Sequence, residues 1–589
     1  MATRNRMFMM LTRAISPLHA GRVLTPLLIL LPATSYGRII QKDFSFHFPE
    51  VDSCVDASQT HCQPWSGEYA INHKDRYPEI PVASFSVVLD QGEQVGHVRV
   101  ELGNIQSRPY KPYLNPEQVT FTPSTNLLRT FSAWSGGEYP ENWITGPKLR
   151  EFRGQTIATW LVTPWHVTSG DSESHLESMT LEVETIDGPK SLDPSDRHLV
   201  RDRIAAEEIA NDEQRRPDDD KVRIIPPSEE VTYLIIGPRE LIGTKSDSPL
   251  NLLIKEKESR HLNVVLITTE EMDSPLTPAT LRARIKQAYQ TQSVDYVLLV
   301  GDKENIPWKY VHSGMNGDGD PVPSDQYYAC LDGTFESPST IDWDCEVSVG
   351  RIGAKTRADV SNWAAKYQSF VKAVDEKRTQ LFLHFGEKLD NRTLGRRMLD
   401  YLINGRSQAP TTKGYPASIK VTALSEDFRS EVSAEDFADK LNSGDFHVVN
   451  HLGHANQTYV FKMSAGEIPK LTSRPAFFYS QGCYPNDPEQ DNWTIRAVRA
   501  KDFGPVSMIS NTRFGWYSPG DEGEGSSSLL HRTFWSMLFE KKIHAIGTMN
   551  HRAKAEVVKS DDSDVVIYTA LESNLIGDPE LDLGLHGGL

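Results

Sequence analysis

Two rhythms of apolar and polar positions divide the chain. From residue 229 onward, short and mostly apolar runs of strand length recur: VTYLIIG, NVVLITT, DYVLLVGD, VSVGRI, QLFLHFG, FHVVNHLG, PAFFYSQG and PVSMIS. Between several of them lie stretches with helical periodicity, such as TPATLRARIKQAYQT and ADVSNWAAKYQSFVKAV. Strands buried on both faces read as near-continuous apolar runs, and parallel neighbours need a helical crossover between them. The pattern predicts an α/β domain over 229–589, built on a parallel sheet with helices on both faces. In such sheets sites form beyond the carboxyl ends of the strands.

Residues 36–185 carry a different rhythm. Runs such as ASFSVVL, GHVRVEL and SMTLEVE alternate and are separated by Pro, Gly and Asn clusters, which predicts an antiparallel, sandwich-like β domain. Residues 186–228 are dense in charge and proline with almost no apolar periodicity, the composition of a cleavable linker. At the start, Arg4, Arg6, Arg13 and Arg22 precede the apolar run VLTPLLILLPATSYG, closed by the small residues Ala33 and Ser35. That order reads as a secretory signal over residues 1–35, too short in its apolar part for a membrane span.

Composition narrows the function classes. A net charge of −18 disfavours a grip on nucleic acid or on an anionic membrane surface. Export makes the five cysteines informative, because oxidised pairs persist outside the cytosol. Cys54 with Cys62, and Cys330 with Cys345, are close enough in sequence to close short loops, which leaves Cys483 alone. An unpaired thiol in a secreted protein is either idle or a nucleophile.

His454 and Cys483 each come directly after an apolar run, in FHVVNHLGHANQTY and AFFYSQGCYPNDP. On parallel neighbouring strands the imidazole and the thiol would emerge at one sheet edge, as nucleophilic catalysis requires. The backbone N–H groups of Cys483 and Ala455 are the candidate oxyanion donors. Spacing alone also fits a buried thiol beside a hydrogen-bonded histidine. A half zinc site in HLGH is disfavoured, since its histidines lie in a strand and turn rather than one helical turn apart.

NHLGHAN and FFYSQGCYPND resemble the two catalytic blocks of the gingipain family of cysteine peptidases, in the caspase-like clan. DYVLLVGDKENIP, SDQYYACLDG, VSVGRIGAKT and IGDPELDL are similar to further landmarks of that family, in its order, over about 229–585. The resemblance implies a caspase-like peptidase domain acting on protein or peptide substrates, with Cys483 as nucleophile and His454 as general base. Glu387 would orient the ring, with His447 and His451 as packing or orienting neighbours. Trp516 would wall the pocket for the residue before the scissile bond. Arg392 or Thr393 falls where basic-specific members place an aspartate, so an acidic preference is the expectation if the guanidinium lines that pocket, the alternative being that Arg392 points to solvent.

The N-terminal β region would then be an intramolecular propeptide, released by cutting near Arg215 or Arg216, or after Asp218 to Asp220 if the pocket prefers acids. Ala455 departs from the glycine that comes after the base in the family, and would be strained if the turn needs positive φ. The chemistry needs no cofactor. The resemblance implies structural calcium, for which Asp325, Asp332, Asp342 and Asp344 are the candidate ligands, with solvated acidic loops as the alternative. A secreted binding or surface protein that keeps the fold without turnover is the rival reading of the whole chain.

Overall fold

The computed structural model describes residues 231–585, apart from 316–318, 407–411, 502 and 521–524. Before them it describes 36–46, 70–72, 80–89, 93–109, 119–120, 138–152, 155–168 and 172–187. The expected signal at 1–35, the Cys54–Cys62 pair, and all of the charged linker except its first two residues lie outside the described residues.

Ten strands form one sheet: β1 (Thr232–Gly237), β2 (Asn263–Thr268), β3 (Val294–Val300), β4 (Ser348–Ile352), β5 (Leu381–Gly386), β6 (Lys420–Ser425), β7 (Val448–Leu452), β8 (Ala476–Ser480), β9 (Pro505–Asn511) and β10 (Ser573–Ile576). Their spatial order is β2-β1-β3-β4-β10-β9-β8-β7-β5-β6. Pairing is parallel from β2 through β10 and again from β9 through β6. Where the halves meet, β9 and β10 run antiparallel, Met508 opposite Ile576 and Asn511 opposite Ser573. The parallel sheet is therefore two parallel halves of opposite direction, joined at one seam.

The eight apolar runs are all strands, and two further strands lie outside them. β6 is an edge strand of half-exposed residues, and β10 is a four-residue SNLI. The helices obey local chemistry. Thr277 caps the helix Pro278–Gln292, with proline at its first position, and Thr356 with Asp359 forms a capping box on Arg357–Asp375. Trp363, Tyr367 and Phe370 of the second helix are buried in the main core.

The N-terminal strands are antiparallel, as their alternation predicts. Strands 36–45, 178–187 and 93–102 form one sheet, and 70–72, 80–88, 155–162 and 144–152 another. Phe85, Trp160 and Val162 share a core with Met179, Leu181 and Val183, so the two sheets face each other. One further strand, Val119–Thr120, leaves these sheets and pairs antiparallel with Trp516–Tyr517. Among the described residues, no helix is long and apolar enough to cross a membrane.

Candidate active site

β7 and β8 are parallel neighbours, paired from Val448 opposite Phe477 to His451 opposite Ser480. His454 and Cys483 each stand three residues past that last pair, so both side chains start from the same sheet edge. The turns touch there. A Cβ on Gly482 would lie 2.4 Å from the Ala455 Cβ and 3.1 Å from the Gly453 carbonyl, so only glycine permits this approach. Gly453 is equally constrained, since a Cβ would lie 2.4 Å from the Glu387 carboxyl carbon.

His454 Nε2 is 2.9 Å from the Leu389 carbonyl oxygen. A carbonyl can only accept, so Nε2 carries the proton and the lone pair of the neutral ring sits on Nδ1. Cys483 is fully buried, and its thiol donates to the Gly515 carbonyl at 3.7 Å. Ala455 is buried and is not among the residues with positive φ, so the expected strain at the departure from glycine does not arise. The left-handed residue is instead Tyr484, φ 62°, directly after the thiol, with its N–H bonded to the Arg513 carbonyl at 2.7 Å.

Glu387 comes directly after β5 and is fully buried. The expectation that it orients His454 meets a different geometry, because its hydrogen bond runs to another ring: Oε1 accepts from His451 Nε2 at 3.0 Å, and His451 Nδ1 lies 2.8 Å from Ser480 Oγ. Lys462 Nζ stands 3.2 Å from Glu387 Oε2 and 3.2 Å from Glu426 Oε1. Burial pushes the Glu387 carboxyl up, but the His451 hydrogen bond and the Lys462 charge outweigh it, holding the group below the usual carboxylate range.

Lys462 reaches that carboxylate from a hairpin, Tyr459–Val460 and Met463–Ser464, whose two tip residues are both left-handed: Phe461 at φ 58° and Lys462 at φ 60°. Asn-Gly is the usual choice for such a turn. Each bulky residue there costs roughly 1–2 kcal/mol. Phe461 offsets much of this by full burial against Phe437, Phe478, Trp493 and the His451 ring, a contribution of about 2–3 kcal/mol. Beneath the site, His384 and His447 are buried neutral, each pushed down to about 3 by burial. His447 bonds to the Leu583 carbonyl and stacks on Phe370, a packing role.

On the other side of Cys483, Trp516 is buried, its ring edge-on to Tyr568, and its backbone N–H donates to Ser527 Oγ at 2.9 Å. Thr393 is buried, accepting from Gly520 N–H at 2.7 Å and donating to Asp390 Oδ2 at 3.1 Å. Arg392 is exposed. The carboxylate beside this wall is Asp390, which also accepts from the Tyr517 hydroxyl at 3.1 Å.

Of the four aspartates expected to hold a metal, three already pair with a cationic side chain. Asp325 forms a two-point pair with buried Arg351 at 3.0 and 2.6 Å, and Asp344 pairs with Lys559 at 2.9 Å. Asp332 also pairs with Lys286 Nζ at 3.0 Å, but it still lies beside Asp342 and Glu346, with one oxygen from each of the three within 4.8 Å of the others. The Cys330–Cys345 disulfide ties the two segments together. Asp342 Oδ2 is buried without a hydrogen-bond partner, and Glu346 is buried too, which removes the solvated-loop alternative for these residues. Burial, then the neighbouring carboxylates, push both groups well up. An all-oxygen, close-set, partly unpartnered donor group fits a hard divalent cation.

A family model described as peptidase family C25 matches residues 226–584, more than half of the chain. Gingipain R2 of Porphyromonas gingivalis is 24% identical over 299 residues, which are 47% of this chain and 37% of the relative. The chain thus spans little more than a third of that relative's length. Among solved structures, the Arg specific cysteine proteinase gingipain R is 18% identical, with a TM-score of 0.47, covering 62% of this chain and 80% of the other. The complex of Porphyromonas gingivalis RgpB pro- and mature domains is 19% identical, with a TM-score of 0.46, covering 60% of this chain and 79% of the other.

Proposed function

The chain belongs to peptidase family C25, and on that premise we propose that it is a cysteine endopeptidase made in a latent form, with Cys483 as nucleophile and His454 as its proton carrier. One observation carries the reading: both residues stand three positions beyond the paired His451 and Ser480, on adjacent parallel strands whose turns meet at Gly482 and Ala455. His454 Nδ1 takes the thiol proton while the Leu389 carbonyl holds Nε2–H. The thiolate attacks the peptide carbonyl, and the Cys483 and Ala455 N–H groups receive the oxyanion. The imidazolium then protonates the leaving amine, and water, deprotonated by the same ring, releases the acyl group from sulfur. Glu387 supports this with a fixed negative charge that acts on His454 through space, and with its packing against Gly453.

Latency is supported by the strand Val119–Thr120, which occupies the free edge of Trp516–Tyr517 beside the thiol. An extended peptide substrate would use the same edge. Release then requires cleavage within 186–228. Exposure of Arg392, with the Asp390 carboxylate held by the Tyr517 hydroxyl beside the thiol, favours a basic residue before the scissile bond and activation near Arg215 or Arg216. The acidic preference, with self-processing after Asp218 to Asp220, is the competing outcome. Asp332, Asp342 and Glu346 would hold calcium, which supplies charge neutralisation and a crosslink rather than chemistry. The leader-like residues 1–35 support secretion.

Digestion of a peptide library by wild type and Cys483→Ala, each before and after limited cutting of the linker, tests all of this. Cleavage by the cut wild type alone is expected, chiefly after Lys or Arg. Cutting chiefly after Asp or Glu would restore Arg392 as the selecting group. A cut wild type no more active than Cys483→Ala, with Cys483 inert to iodoacetamide, would leave the non-catalytic binding protein as the reading.

A further inference from the structure

We propose that His451, acting with Ser480, is a positioning residue for the nucleophile turn: it couples the Lys462–Glu387 pair to the amide that precedes Cys483. The inference rests on Cys483 and His454 being the peptidase pair, and concerns what holds them in register.

The hydrogen bonds run in one direction. Gly482 N–H donates to Ser480 Oγ at 3.3 Å, and Ser480 Oγ lies 2.8 Å from His451 Nδ1. His451 Nε2 lies 3.0 Å from Glu387 Oε1, and Glu387 Oε2 takes Lys462. An ionised carboxylate only accepts, so Nε2 carries a proton and the neutral ring offers Nδ1 to the serine hydroxyl. The hydroxyl oxygen is then free to receive the Gly482 amide. Gly482 is also the residue whose α-carbon rests on Ala455. Pinning its amide from one side while Ala455 blocks the other fixes the Cys483 N–H relative to the Ala455 N–H. Those are the two oxyanion donors.

Two further observations set the assembly apart from ordinary packing. His451 is fully buried, with its ring packed against those of Phe385 and Phe461, which also contact each other. The hairpin that delivers Phe461 and Lys462 keeps two bulky residues left-handed at its tip, and backbone strain of this kind persists where surrounding structure over-determines it.

Replacing His451 by leucine would strip Glu387 of its ring partner and could unfold the domain, so the test uses the smaller change. Ser480→Ala removes one oxygen, and Ser480→Thr restores a hydroxyl. After linker cleavage, kcat of Ser480→Ala should fall on the order of a hundredfold, because a misplaced reacting group loses about that much. KM and the iodoacetamide alkylation rate of Cys483 across neutral pH should stay within about twofold of wild type, since neither uses the oxyanion donors. Ser480→Thr should regain most of the loss. The inference is overturned if Ser480→Ala keeps kcat within about twofold of wild type. It is equally overturned if alkylation falls in step with kcat, or if the threonine variant is no better than alanine. In each of these cases an active wild type and a dead Cys483→Ala leave the peptidase reading standing. A wild type no better than Cys483→Ala overturns both.

Discussion

Gly482→Ala examines the junction between the two catalytic turns directly. The added methyl carbon would sit 2.4 Å from the Ala455 Cβ, against about 3.5–4.0 Å for an ordinary carbon contact, so the turns must separate by roughly 1 Å or more. Overpacking of this kind costs about 1–3 kcal/mol of stability. A shift of about 1 Å in the reacting groups costs on the order of a hundredfold in rate, near 2.7 kcal/mol at the transition state. The worst contact disappears if Ala455 becomes glycine, leaving 3.1 Å to the Gly453 carbonyl and 3.4 Å to the residue 455 nitrogen, tight distances that a few tenths of an ångström relieve. Ala455→Gly alone should cost no more than about 1 kcal/mol of stability, as backbone entropy. The double variant should therefore recover most of the lost rate, with a coupling energy of about 1–2 kcal/mol. The assay is kcat/KM on a peptide chosen from the library digest, with melting temperatures taken on a Cys483→Ala background to prevent autolysis. Wild-type activity in Gly482→Ala, or no recovery in the double variant, would refute the argument that the turns touch at these two residues.

Lys462→Met leaves two buried carboxylates, Glu387 and Glu426, without their shared cation. Breaking a buried pair costs about 3–5 kcal/mol, reduced here to about 2–3 because Lys462 is 24% exposed. Glu387 titrates below its ordinary range, so in the wild type its contribution is complete above about pH 4.5 and is lost as pH falls through the depressed value. The melting-temperature gap between wild type and Lys462→Met should therefore stay wide from pH 8 down to about pH 4.5 and narrow only below it, and a gap independent of pH would contradict the assignment. Calcium should raise the melting temperature of the wild type and lose that effect in Asp342→Asn with Glu346→Gln; an equal rise in both would place the ion elsewhere. Prolines at both Val119 and Thr120 remove the strand's backbone donors, so the uncut chain should gain activity towards that of the cut enzyme, and unchanged latency would show that this pairing does not hold the cleft shut.

The positions of Cys483 and His454 are legible in the sequence because an apolar run announces a buried strand, and a parallel sheet presents the residues just past each strand at its carboxyl edge. Their partners are not legible. The group that fixes the His454 ring is a backbone carbonyl, that of Leu389, and every residue has one. Lys462 carries no local mark of its task, since Glu387 and Glu426 come from distant parts of the chain and only the tertiary fold brings all three together. The acidic loops suggest a cation, but which carboxylates are available depends on Arg351 and Lys559 taking Asp325 and Asp344 out of the set, a matter of partners remote in sequence. Glu387 does stand among the histidines, and its hydrogen bond goes to His451 because the buried ring lies within reach. The antiparallel seam is invisible for another reason: four residues, SNLI, are too few for a periodicity to declare itself.

That seam has a consequence for biosynthesis. β10 is the last of the ten strands to be translated, yet it takes a place in the middle of the sheet, between β4 and β9. A ribosome-bound chain that has already exposed its thiol and imidazole still lacks the strand that joins the two halves. Assembly of the competent enzyme must wait until residue 576 has cleared the exit tunnel, and premature termination yields fragments without a closed scaffold, a safeguard distinct from any propeptide.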